Sequence, residues 1–104
     1  LDAELSPEIS IESTKHNEYI YAIYLNNETN YDIYNYRFQI SYEYGEYVSL
    51  TKAKVDNNPN TRIINATNND IISKGTKSSK YLLTLEGVPD DYIPNIVAIG
   101  QIKE

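Results

Sequence analysis

Polar and apolar residues alternate along most of this chain. The clearest stretch is Tyr34–Tyr44, YNYRFQISYEY, where Tyr34, Tyr36, Phe38, Ile40, Tyr42 and Tyr44 take every second position. Asn35, Arg37, Gln39, Ser41 and Glu43 lie between them. Successive side chains of a β-strand point to opposite faces, so the spacing predicts one aromatic face and one wet face. A helix would scatter the same rings around its circumference. A strand over Ile33–Tyr44 is therefore expected, with its aromatic face against a second layer.

The same period organises the rest. Residues 1–6 read as a loose lead-in. Pro7 then opens an alternating edge strand over Glu8–Ser13, a place where a missing N–H is tolerated. After a turn at Thr14–Asn17, Glu18–Asn26 is apolar on both faces. It is therefore expected to be central, covered by the second sheet on one side and by loops on the other. Asn26–Asn30 reads as a connection, and Gly45-Glu46 as a tight turn that returns Tyr47–Val55 as the hairpin partner of the long strand. Asp56–Asn60 reads as a loop and Arg62–Thr67 as a short strand. Lys80–Glu86 reads as a strand with Tyr81, Leu83 and Leu85 inward. Residues 87–95 form a crossing punctuated by Pro89 and Pro94, and Ile96–Ile102 is the last strand. No segment carries a sustained helical period, and there is no internal repeat. Short strands with regular turn signals predict an all-β, immunoglobulin-like β-sandwich of seven or eight antiparallel strands, with a small closed β-barrel as the alternative. The 104 residues fit one domain, 1–104. Because the chain opens at Leu1 rather than Met, it is expected to be part of a longer precursor.

Charge and composition narrow the function classes. Fifteen acids against nine bases give a net charge of -6. That excludes the basic surface needed to neutralise nucleic-acid phosphate, and it argues against docking on anionic lipid. No Cys is present, which removes disulfides, thiolate catalysis and cysteine-built zinc sites. No apolar run reaches the roughly 20 residues needed to cross a bilayer, so this segment is not expected to insert directly into a membrane. Eleven tyrosines stand beside one Phe and no Trp. Tyr suits half-buried strand positions, since its ring is apolar and its hydroxyl needs water or a partner.

Three pieces of turn chemistry recur in a familiar order: Tyr24-Leu25-Asn26-Asn27-Glu28-Thr29, then Ile40-Ser41-Tyr42-Glu43-Tyr44-Gly45, then Ile72-Ser73-Lys74-Gly75-Thr76. Their order, over residues 18–87, resembles the FxLYD-type domains, a bacterial immunoglobulin-like family of Gram-positive lipoproteins and surface proteins. Lys74 departs from that pattern, which usually has Pro at the corner. The resemblance implies an extracytoplasmic, non-enzymatic module and carries no catalytic residues to transfer.

Candidate chemistry is sparse. His16, the single histidine, sits in a predicted turn without a second ligand nearby in sequence. Ser positions lack a nucleophile-elbow setting. Asp90 and Asp91 are adjacent in an extended loop, where side chains diverge; neither they nor Asp56-Asn57-Asn58 have calcium-loop spacing. Asn27-Glu28-Thr29 and Asn65-Ala66-Thr67 match the N-glycosylation pattern, at a frequency expected by chance in so Asn-rich a chain. No catalytic residue, metal site or cofactor is expected. The tyrosines have more reach, because exposed flat rings serve sugar and peptide binders. Tyr19, Tyr31, Tyr47 and Tyr92 are the candidate ligand-binding residues. The expectation is a non-catalytic module of a secreted, lipid-anchored or surface bacterial protein, serving as a spacer or as a binding domain for a protein or glycan. Two alternatives are a small ligand carrier or enzyme with a pocket at the sandwich end near Asp90 and Asp91, and a phage or assembly protein that pairs through edge strands.

Overall fold

A computed structural model describes residues 1–102, in which every regular element is a β-strand. The strands are β1 (Asp2–Lys15), β2 (Glu18–Asn26), β3 (Ile33–Ser41), β4 (Glu46–Leu50), β5 (Lys54–Asn58), β6 (Ile63–Asn68), β7 (Tyr81–Glu86) and β8 (Asn95–Ile102). All pairings are antiparallel, in the order β4-β7-β2-β1-β8-β3-β6-β5. Strand β1 belongs to both layers of the sandwich. Its residues Ser6–Lys15 pair with β2, whereas Asp2–Leu5 pair with β8. The change of sheet falls at Ser6-Pro7, where Pro7 has no N–H to leave unpaired. The eight strands thus form one nearly closed surface, open between β4 and β5. The expected sandwich is therefore the architecture, and it shares continuity round one side with the barrel alternative.

Several local expectations change. Residues 2–6 are part of β1, not a lead-in, because they close the edge of β8 and bury Leu5. The Gly45-Glu46 turn does not make a hairpin: β4 pairs with β7 in the opposite sheet. Gly45 has φ 83°, and a Cβ there would lie 2.5 Å from the Glu86 carbonyl oxygen. The same glycine chemistry that makes hairpins here carries the chain across the sandwich. The predicted Tyr47–Val55 strand is two strands in different sheets, joined by residues 51–53 at the open seam. Asp56, Asn57 and Asn58 lie in edge strand β5, not in a loop. Outside β2 the cover is partial: Ala22 is buried, Ile20 and Tyr24 stay half-buried, and Lys77 of the β6–β7 connection places its ammonium 4.4 Å from the Tyr24 ring centroid.

The long aromatic strand is shorter than its period suggests. Tyr36, Phe38, Ile40 and Tyr42 face inward, as expected. Between Tyr34 and Arg37 the pairing with β8 slips, and Asn35 takes a left-handed φ of 45°. This bulge puts Ile33 into the core in place of Tyr34. Gly100 makes room opposite, since a Cβ there would lie 2.2 Å from Ile33 Cγ2. At the other end β3 stops at Ser41, and Tyr44 is 50% exposed.

The interior is packed from both sheets. Tyr21, Ile23 and Leu25 of β2 and Tyr81, Leu83 and Leu85 of β7 are fully buried. They meet the inner side chains of β3, β6 and β8, and each buried Ile or Leu contributes about 1.5–3 kcal/mol relative to exposure. Across this layer the Tyr36 and Tyr81 hydroxyls lie 2.6 Å apart, and the Phe38 and Tyr81 rings have centroids 4.9 Å apart. A β3 residue is thereby tied to a β7 residue of the opposite sheet. At one end, Asn27 is also buried. Its Nδ2 donates to the carbonyls of Tyr31 (2.8 Å) and Ile72 (2.9 Å). Its Oδ1 accepts from the Thr29 N–H (3.0 Å) and the Thr29 hydroxyl (2.6 Å). Every hydrogen-bonding position of the amide is filled.

Two stability measurements check these polar contacts. Tyr36→Phe and Tyr81→Phe should each cost about 1–2 kcal/mol, and the double variant clearly less than their sum, because either single change already breaks the shared hydrogen bond. Additive losses in urea denaturation would contradict the tie. Asn27→Ala, which removes all four of these hydrogen bonds and strands the Thr29 N–H, should cost about 3 kcal/mol with an unchanged denaturant slope; a loss below about 0.5 kcal/mol would contradict its role.

Candidate functional site

Three of the four candidate tyrosines gather at one end of the sandwich. Tyr47 and Tyr19 both lie opposite Leu85, one on each side of β7, so β4, β7 and β2 bring them to one face. Both are half-buried against the core. The crossing from β7 to β8 then folds over this end, closed by a turn in which the Tyr92 N–H bonds the Pro89 carbonyl at 3.2 Å. Tyr31 sits at the opposite end, in the loop fastened by Asn27, and is 48% exposed.

The crossing is held by tyrosine hydroxyls. Tyr21 donates to the Tyr92 carbonyl at 2.8 Å, while the Glu43 N–H donates to the Tyr92 hydroxyl at 2.7 Å. The Tyr19 hydroxyl lies 3.5 Å from Asp90 Oδ1 and accepts from the Asp91 N–H at 3.3 Å. Asp91 itself has a left-handed φ of 62°. Tyr44, which sequence reasoning placed on the inner face, packs edge-on against Tyr92 with ring centroids 5.4 Å apart and presents its ring to solvent. Nothing in the alternating pattern marks it out, because the strand ends before reaching it. Arg62 closes the neighbouring turn, its guanidinium on the Gly45 carbonyl and 5.7 Å from the Tyr42 ring centroid.

The end therefore offers a partly exposed aromatic pair, Tyr44 and Tyr92, beside two exposed carboxylates, Asp90 and Asp91. It has the means for stacking and hydrogen bonding. His16 is exposed in the β1–β2 turn. Among the described residues no three His, Cys, Asp or Glu side chains are grouped to hold a metal ion, and the buried polar residues are Asn27 and Ser78. Ser78 is also satisfied: its Oγ accepts from the Leu25 N–H at 2.9 Å and donates to the Ser79 carbonyl at 2.8 Å. The Asn27 amide of the first glycosylation-like triplet is buried, and Asn65 of the second is exposed on β6.

No family model matches the chain, and no curated protein matches it. Among solved structures, a chitinase, ChiA74 from Bacillus thuringiensis, is similar in fold, with a TM-score of 0.67 and 18% identity. The match covers 88% of this chain and 15% of the chitinase chain.

Burial sets the pH behaviour of this tyrosine network. It pushes the Tyr21 hydroxyl from an ordinary value of 10 up to about 12, with the nearby Tyr92 and Tyr19 adding to the effect. Burial also raises Tyr36, Tyr42 and Tyr81. A group whose pKa is higher folded than unfolded contributes stability that is complete below the unfolded pKa. It is lost as pH climbs through the folded value. Folding stability should accordingly fall steeply from about pH 10 to pH 12. Tyr21→Phe should flatten the start of that fall, as measured by urea midpoints across the range; identical profiles would contradict the burial account.

Proposed function

We propose that this chain is a non-catalytic immunoglobulin-like module of a larger secreted or surface-anchored bacterial protein. It spaces neighbouring domains and binds a protein or glycan through its tyrosine-bearing end. The observation that carries this reading is the contrast between interior and rim. Inside, the buried residues are apolar or internally hydrogen-bonded apart from Asn57 Oδ1 on edge strand β5, which is buried without a partner, and no carboxylate is buried among the described residues. At the rim, the Tyr44–Tyr92 pair presents ring surface next to Asp90 and Asp91. Rigid rings pinned by their neighbours bind at little cost in rotamer freedom. The likeness to a small share of a chitinase chain supports a module appended to a larger protein. The turn pieces shared with FxLYD-type domains support the extracytoplasmic setting, and the Asn27 clamp supplies a physical reason for an Asn at that turn.

The test is an amide-resolved NMR titration against cell-wall fragments, oligosaccharides and extended peptides. Shifts should centre on residues 43–45 and 90–93. They should disappear in Tyr44→Ala, a surface change expected to alter stability by less than about 0.5 kcal/mol. A spectrum unmoved by the whole panel would overturn the binding role, and turnover of any oligosaccharide in the panel would overturn the non-catalytic one.

A further inference from the structure

The outer face of β6, β3 and β8 carries a shallow depression of about 250 Å³, away from the tyrosine-bearing end. Strand register builds it as two rows. Asn65, Gln39 and Val97 lie directly opposite one another, and Thr67, Arg37 and Ile99 form the next row. Their alternate neighbours Phe38, Ala66 and Ala98 face the core, which fixes these six on the outside. Gln39 Nε2 donates to Asn65 Oδ1 at 3.0 Å. Among the described residues, Gln39 Oε1 and Asn65 Nδ2 have no protein partner, so one acceptor and one amino group of the pair remain open. Next to them Val97 is 56% exposed, the most exposed large hydrophobic side chain of the described strands.

The electrostatics of the face select the ligand class. Lys54 and Asp56 on β5 and Asp2 and Glu4 on β1 flank it, and Arg37 lies 4.0 Å from Asp2 Oδ2. Arg37, in the middle of the second row, is the one charge among the six and is paired with Asp2, while Asn65, Gln39, Thr67, Val97 and Ile99 are neutral. A charged ligand gains little there, and an apolar one would leave the amides unsatisfied. An acetamido group has a chemical partner for each of these parts. Its carbonyl accepts from Asn65 Nδ2, its N–H donates to Gln39 Oε1, and its methyl covers Val97.

We infer that this face is a second binding site, for a neutral glycan carrying N-acetyl groups. The inference rests on reading the chain as a binding module, but not on the tyrosine-bearing end. Each hydrogen bond to the Gln39–Asn65 pair is formed on a preordered strand surface, since the two side chains already fix one another.

The test uses methyl- and side-chain-amide-resolved NMR on the whole chain. The probes are the β-1,4-linked trimer of N-acetylglucosamine and the β-1,4-linked trimer of glucose, which lacks the acetamido groups. The expected result is a saturable shift of the Gln39 and Asn65 NH2 resonances and the Val97 methyls with the acetylated trimer, and none with the glucose trimer. Gln39→Leu and Val97→Thr should each weaken binding roughly five- to tenfold, consistent with the loss of one hydrogen bond or apolar contact. Tyr44→Ala should leave these shifts intact. No movement on the face, or equal movement with both sugars, would overturn the inference. Shifts with the acetylated trimer confined to residues 43–45 and 90–93 would also overturn it while leaving the tyrosine-end reading in place.

Discussion

The hydrogen bond between the Tyr36 and Tyr81 hydroxyls connects the two halves of this sandwich through their dry interior. Antibody-type domains pin their sheets with a disulfide packed on Trp, and this chain has neither Cys nor Trp. The tyrosine pair is a different solution to the same problem. Two hydroxyls that would be costly to bury unpaired share a hydrogen bond, and their rings pack with Phe38. Because the bond forms only when β3 and β7 are both in register, it disfavours the one-residue slips that would turn either strand inside out.

Strand β1 supplies the complementary constraint at the side. By pairing first with β8 and then with β2 it makes both sheets part of one hydrogen-bonded surface, with Leu5 buried at the transition. Only β1–β2 and β5–β6 pair as neighbours in sequence; the other connections cross from sheet to sheet. Such a topology is dominated by contacts between distant residues, which slows folding without weakening the final state. It also brings the β3–β4 turn and the β7–β8 crossing to one end, where Tyr44 meets Tyr92. The rim that carries the proposed binding role is thus a consequence of how the sheets are connected.

Much of this was legible in the sequence. The period of two located β2, β3, β7 and β8 to within a few residues, since burial on one face leaves a mark at every second position. Pairing partners were not legible, because Gly45 serves a hairpin or a crossing with identical backbone chemistry. The bulge at Asn35 was hidden for a related reason: a polar residue in a polar slot keeps the alternation intact while the register shifts beneath it. Asn27 looked like one more turn residue, and its burial depends on carbonyls of residues 31 and 72 that no local window contains. For the tyrosines, sequence named the chemistry but could not separate rings whose hydroxyls fasten the crossing, Tyr19 and Tyr92, from the exposed ring of Tyr44.

The central claim is that the Tyr36–Tyr81 contact and the shared strand β1 make the two sheets one cooperative unit. Native-state hydrogen exchange across a series of low denaturant concentrations tests it most directly. The account predicts that core amides of β2 and β7 and those of β3 and β8 merge onto a single opening free energy equal to global unfolding. Two separate plateaus, with one sheet opening well below the other, would contradict it.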